Sequence, residues 1–123
     1  MAEEMKKLFH KHRKSVDGLH AIIVTDRDGV PILKVCDEAV PELSTRPNFL
    51  STFGIATEQA SKLGLQKNKS MVCIYSNYQV IHLNKLPLIV TLIANSEANT
   101  GLILALEEEL AEPIQELKAA VMA

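Results

Sequence analysis

The chain has 123 residues, of which 47% are apolar and 23% charged, and its formal net charge at pH 7 is −2. This length suits a single domain spanning residues 1–123, and the composition excludes a disordered segment because it can supply an ordinary core. This net charge lacks the strong basic excess that is typical of a nucleic-acid-binding chain, so we expect no nucleic-acid partner.

The N-terminal half begins with a helix and a hairpin. Residues 3–13 have the apolar spacing of a short amphipathic helix, which Asp17-Gly18 should end. The β-branched run Leu19 to Thr25 predicts a first strand, and Val30 to Val35 predicts the second arm of a hairpin. Gly29 can take the positive φ that the intervening turn requires.

The first helix carries a cluster of basic residues, Lys6, Lys7, Lys11, Arg13 and Lys14. Such a run could attract acidic lipid or a nucleic-acid backbone. A solvated helix face is favoured over both, with the glutamates of the last helix as possible ion-pair partners.

A middle helix is predicted from Pro47 to about Leu63, with Gly64 as its stop. Beside its apolar core face runs a row of mostly small side chains at i, i+4 and i+7 spacing: Leu50, Gly54, Thr57, Ser61 and Gly64. Small side chains allow another helix to approach closely. The spacing is equally compatible with a row that is simply half-exposed.

Three strands follow within residues 69–95, and then a last helix that Asn99 or Thr100 could cap. Pro113 lies inside the helical pattern and predicts a kink or a short break. The first of these strands, Ser70 to Tyr75, has no polar face.

Strands that are apolar on both faces predict a sheet covered by helices on both sides. The fold class is therefore α+β (α/β in the broad sense), with a five-stranded antiparallel sheet between one helix on one face and two on the other. Pro31 and Lys34 mark the second strand as a defended edge. The strand Ser70 to Tyr75 should form the opposite edge without such a defence, so either a loop covers this edge or another chain pairs with it. Together with the small-residue row, the open edge favours a dimer interface there.

No motif predicts catalysis, a metal or a cofactor. His10 and His12 point in nearly opposite directions on a helix and cannot share a metal ion. His20 and His82 each stand alone in a strand, which favours structural roles. Asp26 and Asp28 slightly resemble a calcium loop, but the required glutamate is missing, which favours a hairpin turn. Cys36 and Cys73 form no C-x-x-C pair and are typical of small buried residues in a reducing compartment.

Four stretches carry a family resemblance: GLHAIIVTDRDGVPILKV, RPNFLSTFGIATEQASKLGLQKNKS, YQVIHLNKLPLIVTLIANSEANTGLI and LEEELAEPIQELK. Together with the order of elements, they resemble the roadblock (dynein light-chain-like) domain, which is related to longin domains. Within that group they are similar to the MEK-partner scaffold subunits of the late-endosomal Ragulator complex. The similarity covers essentially the whole chain.

This resemblance implies a heterodimer with a second roadblock-domain subunit. A lipidated Ragulator anchor subunit would tether the pair to the cytoplasmic face of late endosomes and lysosomes, so that membrane contact is indirect. The pair would scaffold MEK and ERK kinases and support Rag GTPases in amino-acid signalling to the mTOR complex. By position, the implied dimer contacts are Leu50, Gly54, Thr57, Ser61, Ser70, Met71, Val72, Cys73, Ile74 and Tyr75.

Two other functions compete with the scaffold. A direct regulator of a small GTPase would need a residue near the nucleotide, for which Arg27 in the hairpin turn is the candidate. A lipid-surface module would use the basic first helix, and the isolated chain should then bind anionic vesicles.

Overall fold

The computed structural model describes residues 2–38, 59, 69–85 and 87–122. Its elements in these ranges are α1 (Ala2–Ser15), β1 (Leu19–Thr25), β2 (Pro31–Cys36), β3 (Ser70–Ile74), β4 (Tyr78–Lys85), β5 (Leu88–Asn95) and α2 (Thr100–Met122). Each matches a predicted element with boundaries shifted by no more than a few residues. The predicted middle helix lies outside the described residues.

The five strands form one antiparallel sheet in the order β2-β1-β5-β4-β3. The hairpin β1–β2 therefore joins the meander β3–β4–β5 through the pairing of β1 with β5. The predicted α+β class and strand order are confirmed, with β2 and β3 as the two edges of the sheet.

One face of the sheet packs against both described helices. Phe9 of α1 is fully buried, as is Ile103 of α2, and both belong to the main apolar cluster with Ile22 and Leu92 of the central strands. On the other face, Ile23 and its neighbours form a smaller buried cluster. The central strands are thus buried on both faces, in agreement with their continuous apolar sequence.

The hairpin turn is held by the side chain of Asp26. Its carboxylate accepts hydrogen bonds from the backbone N–H groups of Asp28, at 2.9 Å, and Val30, at 3.0 Å. Gly29 has a φ of 85°, as the turn requires. Asp26 is therefore engaged in turn formation, and no cluster capable of holding a metal ion occurs among the described residues.

Helix α2 begins at a side-chain cap and continues past its internal proline. The Asn99 side chain accepts a hydrogen bond from the N–H of Leu102 at 3.1 Å, which makes Asn99 the capping residue. The helix extends from Thr100 to Met122 with Pro113 inside it. The break predicted at Pro113 as one alternative is therefore wrong. Neither described helix is long and apolar enough to span a membrane.

Among the described residues, the basic helix forms an ion-pair contact with a glutamate of the last helix at one position. His12 Nδ1 lies 3.4 Å from a carboxylate oxygen of Glu109. Arg13 instead lies 3.5 Å from Asp37, which also contacts His20 at 2.9 Å. Within the described part of the chain, the lysines of α1 form no ion pair with these glutamates.

Candidate functional site

The edge strand β3 is the candidate site because part of its backbone faces away from the sheet. Its register pairs Met71 with His82 and Cys73 with Val80 on β4. The N–H of Tyr75 donates to the carbonyl of Tyr78 at 2.8 Å. Bonded and non-bonded pairs alternate in an antiparallel ladder, so residues 71, 73 and 75 bond to β4. The N–H and C=O groups of residues 70, 72 and 74 therefore point outward, and within the described residues β3 pairs with β4 alone.

The side chains of this edge are apolar and exposed. The exposed fractions are 40% for Val72, 77% for Ile74 and 51% for Tyr75. Val72 and Ile74 lie on the face that carries α1 and α2, since Val72 is opposite the buried Ile81. Met71 and Cys73 lie half-buried on the other face. An exposed strand with apolar side chains and open backbone groups is a template for a strand from another chain.

The opposite edge is built differently. Strand β2 begins at Pro31, and its exposed residues include Lys34. Proline lacks an N–H group and lysine carries a charge, and both discourage added strands. The contrast predicted from the sequence between a defended edge and an open edge is present in the sheet.

Buried Gln79 anchors the strand next to β3, a role that the sequence analysis missed. Its side-chain amide donates to the carbonyls of Asn95, at 3.0 Å, and Ala98, at 2.9 Å. Its side-chain oxygen accepts the hydroxyl proton of Thr100 at 2.5 Å. These bonds fix the start of α2 relative to β4. A polar residue amid the apolar β4 sequence was the available signal.

Both cysteines are free and half-buried against the smaller cluster on the second sheet face. His82 is buried and hydrogen-bonded to the Thr91 hydroxyl at 3.0 Å, which is the structural role predicted for it. Arg27 is exposed in the hairpin turn.

The family model described as "Mitogen-activated protein kinase kinase 1 interacting" matches residues 3–121. The chain belongs to this family.

Two relatives with similar sequences carry Ragulator names. Ragulator complex protein LAMTOR3-A of Xenopus laevis is 59% identical over 122 residues, with 99% of each chain covered. Ragulator complex protein LAMTOR3 of Homo sapiens is 56% identical over 121 residues, with 98% of each covered. These similarities confirm the resemblance to Ragulator subunits that the sequence analysis identified.

Solved structures with distant sequences share the fold of this family member. The roadblock/LC7 domain from Streptomyces avermitilis has a TM-score of 0.69 at 11% identity and covers 96% of this chain and 98% of its own. Myxococcus xanthus MglB has a TM-score of 0.75 at 9% identity, with 95% and 96% covered. At such low identity the likeness concerns the fold alone, and it confirms the roadblock architecture.

The structure describes only the strand portion of the predicted dimer interface. Residues 70–75 lie together on the open edge. The helical portion, Leu50, Gly54, Thr57 and Ser61, lies outside the described residues. The assignment of both portions to a dimer contact stays a prediction.

Replacing Gln79 by alanine should lower the free energy of unfolding by about 2 kcal/mol, because three hydrogen-bonding groups would lose their buried partner. Urea denaturation measures the change. Gln115, exposed on α2, is the matched control, and its replacement by alanine should cost less than about 0.5 kcal/mol. Equal effects of the two substitutions would contradict an anchoring role for Gln79.

Proposed function

We propose that this chain is a non-catalytic scaffold subunit of a Ragulator-type complex, in which it pairs with a second roadblock-domain protein along β3. Family membership and the Ragulator names of its relatives support the assignment to such a complex. The single observation that supports pairing along β3 is the open edge, where Val72, Ile74 and Tyr75 expose apolar side chains.

The proposed pairing would join two sheets into one. The outward N–H and C=O groups of residues 70, 72 and 74 would bond to a strand of the partner, as the inner groups of β3 bond to β4. Burial of the apolar side chains along the seam would add hydrophobic stabilisation. In the proposal, the small-residue row of Leu50, Gly54, Thr57 and Ser61 contributes helix packing to the same interface.

The assembled pair would act by bringing other proteins together. The family description supports binding of a mitogen-activated protein kinase kinase, and we extend this to MEK and ERK as scaffolded kinases. The Ragulator names support a role beside Rag GTPases in amino-acid signalling to the mTOR complex. A lipidated anchor subunit would hold the complex on the cytoplasmic face of late endosomes and lysosomes, so that this chain touches the membrane indirectly.

Replacing Ile74 by lysine should remove the second roadblock subunit from the complex. Ile74 is 77% exposed in this chain, so the charge should leave the fold intact, but pairing would bury it without a partner. We expect pairing to weaken by at least about tenfold, measured by co-purification and light scattering after co-expression.

Ile32 on the defended edge is the matched control, since it is also exposed and apolar. The variant Ile32→Lys should pair as the wild type does. Retention of the partner by Ile74→Lys, in a chain with an unchanged melting temperature, would refute β3 as the pairing surface.

A further inference from the structure

The basic surface of α1 forms a shallow recess that lies apart from the β3 edge. Five side chains of this helix line a cavity of about 610 Å³: Lys7, His10, Lys11, Arg13 and Lys14. The three lysines are exposed, whereas the histidine and the arginine are half-buried. Four permanent positive charges therefore line one shallow, open site.

The lysines of the recess are not neutralised by neighbours in the described ranges. Arg13 is engaged with Asp37 at 3.5 Å and with the carbonyl of Leu19 at 3.4 Å. Lys7, Lys11 and Lys14 form no ion pair with any residue in these ranges, although Glu109 on α2 reaches the same helix through His12. Their charge is available to a ligand.

His10 is arranged as a neutral donor beside these charges. Its Nδ1 accepts a hydrogen bond from Arg13 Nε at 3.3 Å, which leaves Nε2 to carry the proton of the neutral ring. Burial, followed by the positive charges of Arg13, Lys14 and Lys6, lowers the pKa of His10 below its ordinary value. The part of this lowering that comes from Arg13, Lys14 and Lys6 reflects a positive potential that an anion would relieve.

The spacing and the side chains of the recess favour a peptide over a membrane or a nucleic acid. Lys7 and Lys14 are seven positions apart, about 10 Å along the helix, which an extended peptide spans with about three residues. A membrane-binding helix would combine its cations with exposed apolar residues, whereas Leu102, Val72 and Ile74 are exposed on other elements. Among the described lining residues, no Phe, Tyr or Trp is present for base stacking.

We infer that the recess of α1 lined by Lys7, His10, Lys11, Arg13 and Lys14 is a docking site for a short acidic peptide segment of a partner protein. Carboxylates of successive glutamate or aspartate residues would pair with the lysines, and His10 Nε2–H would donate a further hydrogen bond. This site is independent of the proposed pairing along β3.

Fluorescence anisotropy with a fluorescein-labelled hexaglutamate peptide tests the inference, with hexaglutamine as the peptide control, at about 150 mM salt. The full-length wild type should bind hexaglutamate and not hexaglutamine. The triple variant K7Q/K11Q/K14Q should bind at least about tenfold more weakly, since each lost ion pair costs a fraction of the binding free energy.

A charge-matched variant distinguishes binding at the α1 recess from a general attraction between the lysines of the chain and the acidic peptide. K34Q/K69Q/K118Q removes the same number of lysines elsewhere and should bind within about twofold of the wild type. Equal weakening of both triple variants, or no binding of hexaglutamate by the wild type, would overturn the inference. Flotation on phosphatidylserine vesicles that requires the three α1 lysines, without hexaglutamate binding, would overturn it in favour of a lipid surface.

Discussion

Replacing Val72 by proline should weaken pairing with a second roadblock subunit by about a hundredfold, while the chain itself stays folded. The N–H of Val72 points away from β4, so its loss leaves the β3–β4 ladder intact. On the outer side, the proline ring removes a donor and blocks the approach of a strand. Analytical ultracentrifugation of the co-expressed subunits measures the loss.

Lys34→Pro is the matched control for this experiment. The N–H of Asp37 donates to the carbonyl of His20 at 2.9 Å, so the alternation along β2 turns the N–H of Lys34 outward as well. This control should pair normally because it alters the opposite edge. Normal pairing by Val72→Pro, with both variants folded by circular dichroism, would exclude strand addition at β3.

Acidification should destabilise the chain through His82. The residue is 2% exposed, and burial lowers its pKa from 6.5 to about 4. As the pH falls below about 6.5, the unfolded chain binds a proton that the native state excludes, so stability declines until the pH reaches the native pKa. The expected loss is about 2 kcal/mol between pH 7.5 and 5 and about 3 kcal/mol in full.

Urea denaturation of the wild type and of His82→Gln across this pH range measures the effect. Glutamine can still hydrogen-bond to the Thr91 hydroxyl but does not titrate. The variant should have lower stability at pH 7.5 and a clearly smaller decline on acidification. If the free energy of unfolding of His82→Gln declined with falling pH as steeply as that of the wild type, the acid sensitivity would belong to other groups.

Local patterns accounted for most of the architecture. The β-branched run at Leu19 to Thr25 matches β1 residue for residue. Asp26 and Gly29 formed the expected turn because both act on backbone groups within a few positions. The edge position of β3 was also predictable, since Pro31 and Lys34 marked the other edge and left one consistent strand order.

Other features depended on residues distant in the sequence. The Gln79 side chain forms hydrogen bonds with Asn95, Ala98 and Thr100. These three residues are brought together by the turn from β5 into α2. The sequence predicts a solvated face for the lysines of α1 and leaves open whether the glutamates of the last helix pair with them. Among the described residues, the packing of the two helices brings His12, and none of these lysines, to Glu109. Pro113 also remained within a continuous helix, since tertiary packing of Ile114 and Leu110 outweighs one lost backbone bond.

By itself, the sequence determined which segments are strands and helices, which sheet edge is defended, and the family to which the chain belongs, because these follow from local periodicity and from long matching stretches. The tertiary structure alone decided which side chains of β3 stay exposed, which polar groups are buried together, and which charges of α1 have no ion-pair partner in the described part of the chain. Burial and pairing depend on the relative placement of whole elements, and no spacing along the chain encodes that placement directly.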